Sequence, residues 1–207
     1  NRGCPFSCTF CTDGRSDVNK VNFFGIERLK RELDYIESNI PESTHNLYIS
    51  DLNFGMYEHD LEISRYIREL QTKSHWPKWI IASTGKNRKE RVIEAIKILG
   101  GSLLLSMSVQ SLDENVLTNV KRDNISTETM MSLAPVISQS NLSTFSEVIV
   151  GLPGESYQSH LNTVKSLVNA KIDFVKTFSL MLLMGSELAT PRERKKWDFK
   201  TKFRVLA

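Results

Sequence analysis

The sequence predicts an α/β fold in which parallel β-strands alternate with helices that pack outside the sheet. Short apolar runs typical of buried strands alternate with longer stretches whose apolar residues recur at helical spacing. Connections long enough to contain a helix require crossovers, which place successive strands parallel in one sheet. With 207 residues, of which 40% are hydrophobic and 25% charged, the chain can bury one sizeable core. We therefore expect one domain.

The first predicted helix illustrates the pattern on which the other elements are assigned. Leu29, Leu33, Ile36 and Ile40 recur at helical spacing, and Pro41 ends the repeat. The later elements, in chain order, are predicted as a strand at 47–49, a helix around 63–70, a strand at 79–82, a helix at 92–99, a strand at 103–109, an irregular helical stretch at 113–140, a strand at 145–150, a helix at 161–168 and a strand at 174–183.

These five strands, with a sixth expected before the first cysteine, predict a partial (βα)6 TIM-like barrel with outer helices. A flat, doubly wound sheet fits the same pattern equally well. We interpret residues 1–207 as one core domain and a fragment that lacks its first strand and any flanking domains, because it opens at Asn1 without a methionine. Chemistry in a parallel barrel sits at the carboxyl ends of the strands. The polar residues predicted at those ends are Asp51, Asn53, Ser83, Lys86, Gln110 and the turn 151–155.

Charge and hydropathy argue against two classes of partner. Lys and Arg number 27 against 24 Asp and Glu, an excess too small to indicate nucleic acid or a membrane surface. No apolar run approaches the roughly 20 residues needed to span a bilayer, and no leader sequence precedes the first cysteine. The cytoplasm is the expected location.

All three cysteines, Cys4, Cys8 and Cys11, lie in one short loop. Burial of three apolar cysteines is a poor explanation for such clustering, and a disulfide scaffold would need an even number. A structural zinc site would need a fourth ligand, and the nearest histidine, His45, lies beyond a predicted helix. Three thiolates on a tight loop instead suit three irons of a cubane cluster.

The C-x3-C-x2-C spacing, with Phe10 directly before the last cysteine, resembles the radical S-adenosylmethionine (SAM) superfamily. The resemblance implies that Cys4, Cys8 and Cys11 hold a [4Fe-4S] cluster whose fourth iron is chelated by SAM. Electron transfer from the cluster then cleaves SAM into methionine and a 5'-deoxyadenosyl radical for C–H functionalisation. This chemistry belongs to the cofactors, while the protein positions and shields them.

The resemblance extends over the chain and implies further SAM contacts. In NRGCPFSCTFC (1–11) it places Phe10 beside the adenine, and in EVIVGLPGE (147–155) it packs Ile149 on adenine and uses Gly151 for close backbone approach. In the segment 106–122 it places Gln110 at the ribose hydroxyls and Lys121 or Arg122 at the SAM carboxylate. A strand-end residue bonded to backbone remains an alternative for Gln110, and a solvated helix face for the two basic residues.

The second strand departs from the common family pattern. Many members carry Gly-Gly-Glu there to bind the SAM amino group, whereas this chain reads SDLNFG over 50–55. Asp51 can substitute by accepting an ammonium hydrogen bond, with Asn53 as the second candidate. The segments SDLNFGMY, TGKN (84–87) and MGSEL (184–188) resemble the branch that carries a cobalamin-binding domain upstream.

The sequence therefore predicts a radical SAM enzyme, whose specific form would be a cobalamin-dependent methylase or a related C–H functionalising enzyme. The cofactors would be a [4Fe-4S] cluster, SAM and a cobalamin bound through a domain outside this chain. The partners would be a small-molecule, glycan or lipid-precursor substrate and a cytoplasmic electron donor. The alternative is a non-catalytic or electron-transfer iron-sulfur protein, although an electron carrier would keep a fourth cysteine.

Overall fold

The computed structural model describes residues 1–124 and 143–202. Within these ranges, helices alternate with strands along the chain. In order, the elements are α1 (Ile26–Asn39), β1 (Asn46–Phe54), α2 (Glu58–Ser74), β2 (Trp79–Thr84), α3 (Lys89–Ile98), β3 (Leu105–Ser106), α4 (Glu114–Asn119), β4 (Thr144–Val150), α5 (Tyr157–Asn169), β5 (Phe174–Ser179) and α6 (Pro191–Lys196). Two 3-10 turns lie at Thr12–Gly14 and Glu187–Ala189.

The strands are parallel and follow one another in chain order. β1 pairs with β2, and β3, β4 and β5 form a second ladder. A parallel bridge between Ile80 and Leu103 joins the two groups, and the Ile80 amide donates to the Ser102 carbonyl at 2.8 Å. A doubly wound sheet reverses its strand order at a switch point, and these strands do not reverse. The predicted α/β fold is confirmed, and the order favours the partial barrel over the doubly wound alternative.

Several predicted boundaries were wrong. β1 continues to Phe54, because its pairing with β2 resumes after an irregularity, so Asp51 and Asn53 lie inside the strand and not beyond its end. β3 keeps a ladder of only two residues, since Gln110 adopts a left-handed backbone with φ 66° and bridges β4 by itself. β5 ends at Ser179, short of 183.

The predicted helical stretch 113–140 is described only in its first part. α4 begins where the Asp113 carboxylate accepts a hydrogen bond from the Val116 amide at 3.1 Å, a side-chain cap that satisfies an otherwise unpaired donor. Residues 125–140 lie outside the described ranges.

The main core lies where α2 and α3 pack on the sheet. Ile67, Val92, Ile96 and Leu99 are fully buried there. Burial of each such side chain contributes about 1.5–3 kcal/mol, so the helices are held by this apolar face. No helix among the described residues is long and apolar enough to cross a membrane.

Candidate functional site

The cysteine loop is fixed to two distant parts of the chain through Thr9. The Thr9 amide donates to the Val120 carbonyl at 3.0 Å, directly after α4. The Thr9 carbonyl accepts from the Leu188 amide at 2.9 Å, in the second 3-10 turn. Thr9 is buried. Because both backbone groups of one residue are satisfied by separate elements, the loop has little freedom to shift.

Two glycines allow the loop to fold closely on itself. Gly3 has φ 94°, and a Cβ there would lie 1.9 Å from the Lys20 carbonyl oxygen. At Gly14 a Cβ would lie 2.3 Å from the carbonyl oxygen of Cys8. Both obstacles are backbone atoms that cannot rotate away, so only glycine fits at either position.

A cavity of about 220 Å³ opens beside the loop, toward the carboxyl ends of the central strands. The loop contributes Cys4, Phe10 and Cys11 to its wall, and the sheet contributes Gln110 and Glu147 among others. The predicted location of the site at this edge of a parallel sheet agrees with the cavity's position.

The thiols occupy different environments. Cys4 and Cys11 line the cavity, while Cys8 is only 2% exposed. Two cations approach Cys8 Sγ: Lys86 Nζ lies at 3.3 Å and Arg122 Nη1 at 3.8 Å. Burial raises the pKa of the Cys11 thiol, so a metal must displace a proton that this site retains.

The arrangement of the thiols suits a cluster better than a single ion. In residues 1–124 and 143–202, no three Cys, His, Asp or Glu side chains converge as the ligands of one metal ion do. A cubane cluster instead takes each thiolate on a different iron. Cationic neighbours at Cys8 also complement the negative charge that three thiolates bring. The residues present therefore fit a [4Fe-4S] cluster.

Three of the predicted SAM residues share the cavity. Phe10, Gln110 and Arg122 all line it. The structure also separates the two basic candidates, because Lys121 pairs with Glu187 at 2.7 Å in an exposed ion pair away from the cavity wall. Arg122 is 5% exposed and donates to the carbonyl of Val109 at 3.2 Å. Of the two, only Arg122 is placed to meet a ligand in the cavity.

The SAM candidates Ile149 and Gly151, at the end of β4, are not part of the cavity wall. Ile149 packs with Phe10 on a small apolar cluster formed by Val116, Val120 and Leu152. This places the two predicted adenine neighbours on one apolar patch. Gly151 has φ 89° and its amide donates to Glu155 Oε2 at 2.7 Å.

Asp51 and Asn53 are buried but do not line the cavity. Asp51 Oδ1 accepts from the Asn53 amide at 2.8 Å, and Oδ2 lies 3.3 Å from the Asn1 backbone nitrogen. Asn53 is 1% exposed, and its side-chain amide has no hydrogen-bond partner among the described residues. Buried amides are normally paired, so Asn53 retains unused donors and acceptors close to the loop after β1. The roles predicted for both residues stay predictions.

Sequence reasoning missed a polar row on the cavity wall. Ser106 Oγ lies 2.8 Å from Ser108 Oγ, which donates to Glu147 Oε2 at 3.1 Å. Ser106 and Ser108 alternate with the apolar Met107 and Val109 in the sequence, and this alternation was a signal that could have identified the two serines. The row gives the cavity hydroxyl and carboxylate acceptors opposite the cysteine loop.

Lys89, at the start of α3, was also missed. Its Nζ donates to the carbonyls of Gly85 at 2.7 Å and Ser106 at 3.0 Å, and it lines the cavity. Burial, with smaller contributions from Arg122 and Lys86, lowers the pKa of Lys89 from 10.5 to about 7.

The lowered pKa of Lys89 predicts a pH-dependent stability in the cluster-free protein. Between about pH 7 and 10.5 the Lys89 amine is protonated in the unfolded chain more than in the folded chain. The contribution of Lys89 to the free energy of unfolding therefore rises with pH in this range and is constant below about pH 7. Relative to Lys89→Met, the wild-type free energy of unfolding should rise by at most about 1.4 kcal/mol per pH unit in that window. Urea unfolding at several pH values measures this.

The exposed Lys97, on the same helix, gives the control variant Lys97→Met, which should follow the wild-type pH profile. Parallel profiles for wild type and Lys89→Met would show that Lys89 keeps its ordinary pKa.

The close approach at Gly14 predicts that Gly14→Ala displaces the cysteine loop. The added methyl group would meet the Cys8 carbonyl at 2.3 Å, so the variant should lose most of its bound iron after anaerobic reconstitution. Gly25→Ala is the matched control, because a Cβ at Gly25 meets no atom within 4 Å. Iron and sulfide assays compare the two, and equal iron content would contradict the packing argument.

Comparisons with known proteins agree with this geometry. The chain is 32% identical over 197 residues to the 2-(S-pantetheinyl)-carbapenam-3-carboxylate methyltransferase of Streptantibioticus cattleyicolor, covering 93% of this chain and 28% of that protein. It is 31% identical over 205 residues to the cobalamin-dependent radical SAM methyltransferase TokK of Streptomyces tokunonensis, covering 97% of this chain and 30% of that protein. The chain thus spans less than a third of the length of these two relatives.

A solved structure with the same fold is the radical SAM methyltransferase TsrM from Kitasatospora setae, with cobalamin and a [4Fe-4S] cluster bound. The TM-score is 0.73 at 12% identity, over 90% of this chain and 34% of that chain. The radical SAM superfamily model matches residues 1–167. Since that match includes the cysteine loop, the cavity and every strand before β5, the chain belongs to the radical SAM superfamily.

Proposed function

We propose that this chain is the radical SAM core of a cobalamin-dependent methyltransferase that acts on a small molecule. The observation that carries the proposal is the position of the cysteine loop, whose Cys4 and Cys11 open onto a cavity that also contains Gln110 and Arg122. The two relatives named as methyltransferases, at 31% and 32% identity, support the methyl-transfer form. Cobalamin would be bound by a part of the protein outside these residues.

The chain's own residues would divide the work of holding the cofactors. Cys4, Cys8 and Cys11 would each ligate one iron of the cluster. When bound, the cluster supplies the electron that cleaves SAM. Gln110 offers an amide to the ribose hydroxyls, and Arg122 offers a fixed guanidinium to the carboxylate.

Other candidate SAM contacts surround this group. The Phe10–Ile149 patch offers an apolar surface to the adenine, and Gly151 would permit close approach of the backbone. The buried carboxylate of Asp51 and the unpaired amide of Asn53 are the candidates for the SAM amino group. Both residues lie on β1, on either side of Leu52, which lines the cavity.

The edge of β1 left unpaired in the described part of the chain is evidence for an additional strand beside it. A groove of about 240 Å³ runs between α1 and β1 and is lined by apolar residues such as Leu29, Leu33, Leu47 and Ile49. Among the described residues, β1 pairs with β2 alone, so its other edge is free. We propose that a strand preceding residue 1 fills this groove, and that residues 1–207 form one core domain of a longer protein.

The substrate and partners follow from the same proposal. The relative from Streptantibioticus cattleyicolor, whose name gives a carbapenam substrate, favours a small metabolite, and a glycan or lipid precursor fits the same chemistry. A reducing cytoplasm keeps thiols available for a cluster, and a cytoplasmic electron donor would supply the reducing equivalent. The small net charge of +3 gives no support for nucleic acid or a membrane surface as partner.

Anaerobic reconstitution of the full-length protein tests the proposal. We expect about four irons per chain, cobalamin retained through gel filtration, and release of 5'-deoxyadenosine with dithionite and SAM. Cys8→Ala should abolish this release, because the loop has no spare thiolate. Ser7→Ala, an exposed neighbour in the same loop, should leave it intact. A wild-type protein that binds the cluster yet gives no SAM cleavage would favour the electron-transfer alternative.

A second prediction concerns SAM affinity. Removing a hydrogen bond to a buried group of the bound ligand typically lowers the affinity roughly ten- to hundredfold. Gln110→Ala should therefore weaken SAM binding by about that factor and leave iron content unchanged. Gln158→Ala, an exposed glutamine on α5, is the matched control. Equilibrium dialysis with labelled SAM measures both, and wild-type affinity in Gln110→Ala would refute its assignment.

A further inference from the structure

The sulfur of Cys8 differs from the other two in its electrostatic surroundings. Lys86 Nζ donates to it at 3.3 Å, and Arg122 Nη1 lies at 3.8 Å. In residues 1–124 and 143–202, no cation donates to the sulfur of Cys4 or Cys11, and Cys11 faces the Asp13 carboxylate at 3.9 Å. The direct contacts of both cations are therefore made with one of the three candidate cluster ligands.

A second residue of the cysteine loop, Phe6, also contacts the Lys86 ammonium. Its Nζ lies 4.5 Å from the ring centroid of Phe6, which sits between Cys4 and Cys8 in the sequence. An ammonium over an aromatic face is attracted by the ring's electrons. The same ammonium thus contacts two residues of the cysteine loop, the ring of one and the sulfur of the other.

The backbone before Lys86 is also fixed. The Gly85 amide donates to the Phe54 carbonyl at 2.9 Å, and the Gly85 carbonyl accepts from Lys89 Nζ at 2.7 Å. A Cβ at Gly85 would lie 2.6 Å from Met56 Cβ, so the turn after β2 packs against the turn after β1 without spare room. Lys86 therefore extends from a fixed backbone, and only its side-chain torsions must be ordered for the ammonium to reach Cys8.

We infer that Lys86 is a positioning residue that donates a hydrogen bond to the Cys8 thiolate and thereby raises the reduction potential of the cluster. The inference rests on the cluster of the proposed function. Hydrogen bonds and charge at cluster sulfurs set the potentials of iron-sulfur centres. The reduced cluster carries one more negative charge than the oxidised cluster, so a nearby cation stabilises the reduced form more. The electron comes from the external reductant, and Lys86 keeps its proton.

The role differs from that of Arg122. Arg122 also donates to carbonyls of Val109 and Ser108, so much of its guanidinium is committed to backbone, and it lines the cavity where SAM is proposed to bind. Lys86 lines the same cavity but has no proposed SAM contact, so its effect on the cluster is measured in the absence of SAM.

The test is an EPR-monitored redox titration of the full-length, cluster-loaded protein without SAM. In Lys86→Met, the ratio of reduced to oxidised cluster at a fixed applied potential should fall roughly tenfold, which for a one-electron couple is a shift of about 59 mV to more negative potential. Lys86→Arg, which keeps the cation, should shift less. Lys97→Met removes an exposed lysine of α3 and should titrate as wild type.

Iron content separates this inference from the proposed function. A wild-type chain without about four irons would contradict the proposed function. If Lys86→Met does not retain its iron, Lys86→Gln, which keeps an N–H donor without the charge, is titrated in its place and should shift in the same direction. A wild-type potential in the iron-loaded Met or Gln variant would overturn the role of Lys86.

Discussion

The site depends on the two backbone hydrogen bonds of Thr9. Through its amide and its carbonyl, this one residue connects the cysteine loop to the end of α4 and to the 3-10 turn near Leu188. Those anchors are far apart in sequence, yet they set where all three thiols lie. Without them the loop would be a surface segment with no fixed relation to the sheet. The cavity, the cationic neighbours of Cys8 and the apolar patch at Phe10 all presuppose this position.

The cavity wall carries several cationic side chains that negatively charged ligands would stabilise. Lys86, Lys89 and Arg122 line one small space, and burial lowers the pKa values of Lys89 and Arg122. Buried cations are costly unless negative partners offset the desolvation. A [4Fe-4S] cluster held by three thiolates would bring net negative charge, whereas SAM, although it is cationic as a whole, would offer its carboxylate as a local partner. Binding of the cluster would therefore offset part of the cost of burying these cations.

The sheet forms the wall of the cavity opposite the cysteine loop, with polar groups that carry no positive charge. Ser106 and Ser108, with Glu147 of β4, present hydroxyls and a carboxylate to the cavity, and Met107 and Val109 between them belong to both the cavity wall and the core. Because the strands run parallel, their carboxyl ends lie at the same edge and present these groups together. The polar row Ser106, Ser108 and Glu147 and the cysteine loop thus meet across the cavity although 95 to 143 residues separate them in sequence.

The sequence by itself determined the alternation of strands and helices, the parallel sheet and the choice of the three cysteines as candidate cluster ligands, because periodicity and spacing are local properties of the chain. The tertiary structure decided the rest. It separated Arg122 from Lys121, kept Asp51 and Asn53 inside β1, brought the ammonium of Lys86 to Cys8 and placed Lys89 on the cavity wall. None of these follows from local pattern, since each depends on which distant backbone atoms a side chain reaches after the strands have paired.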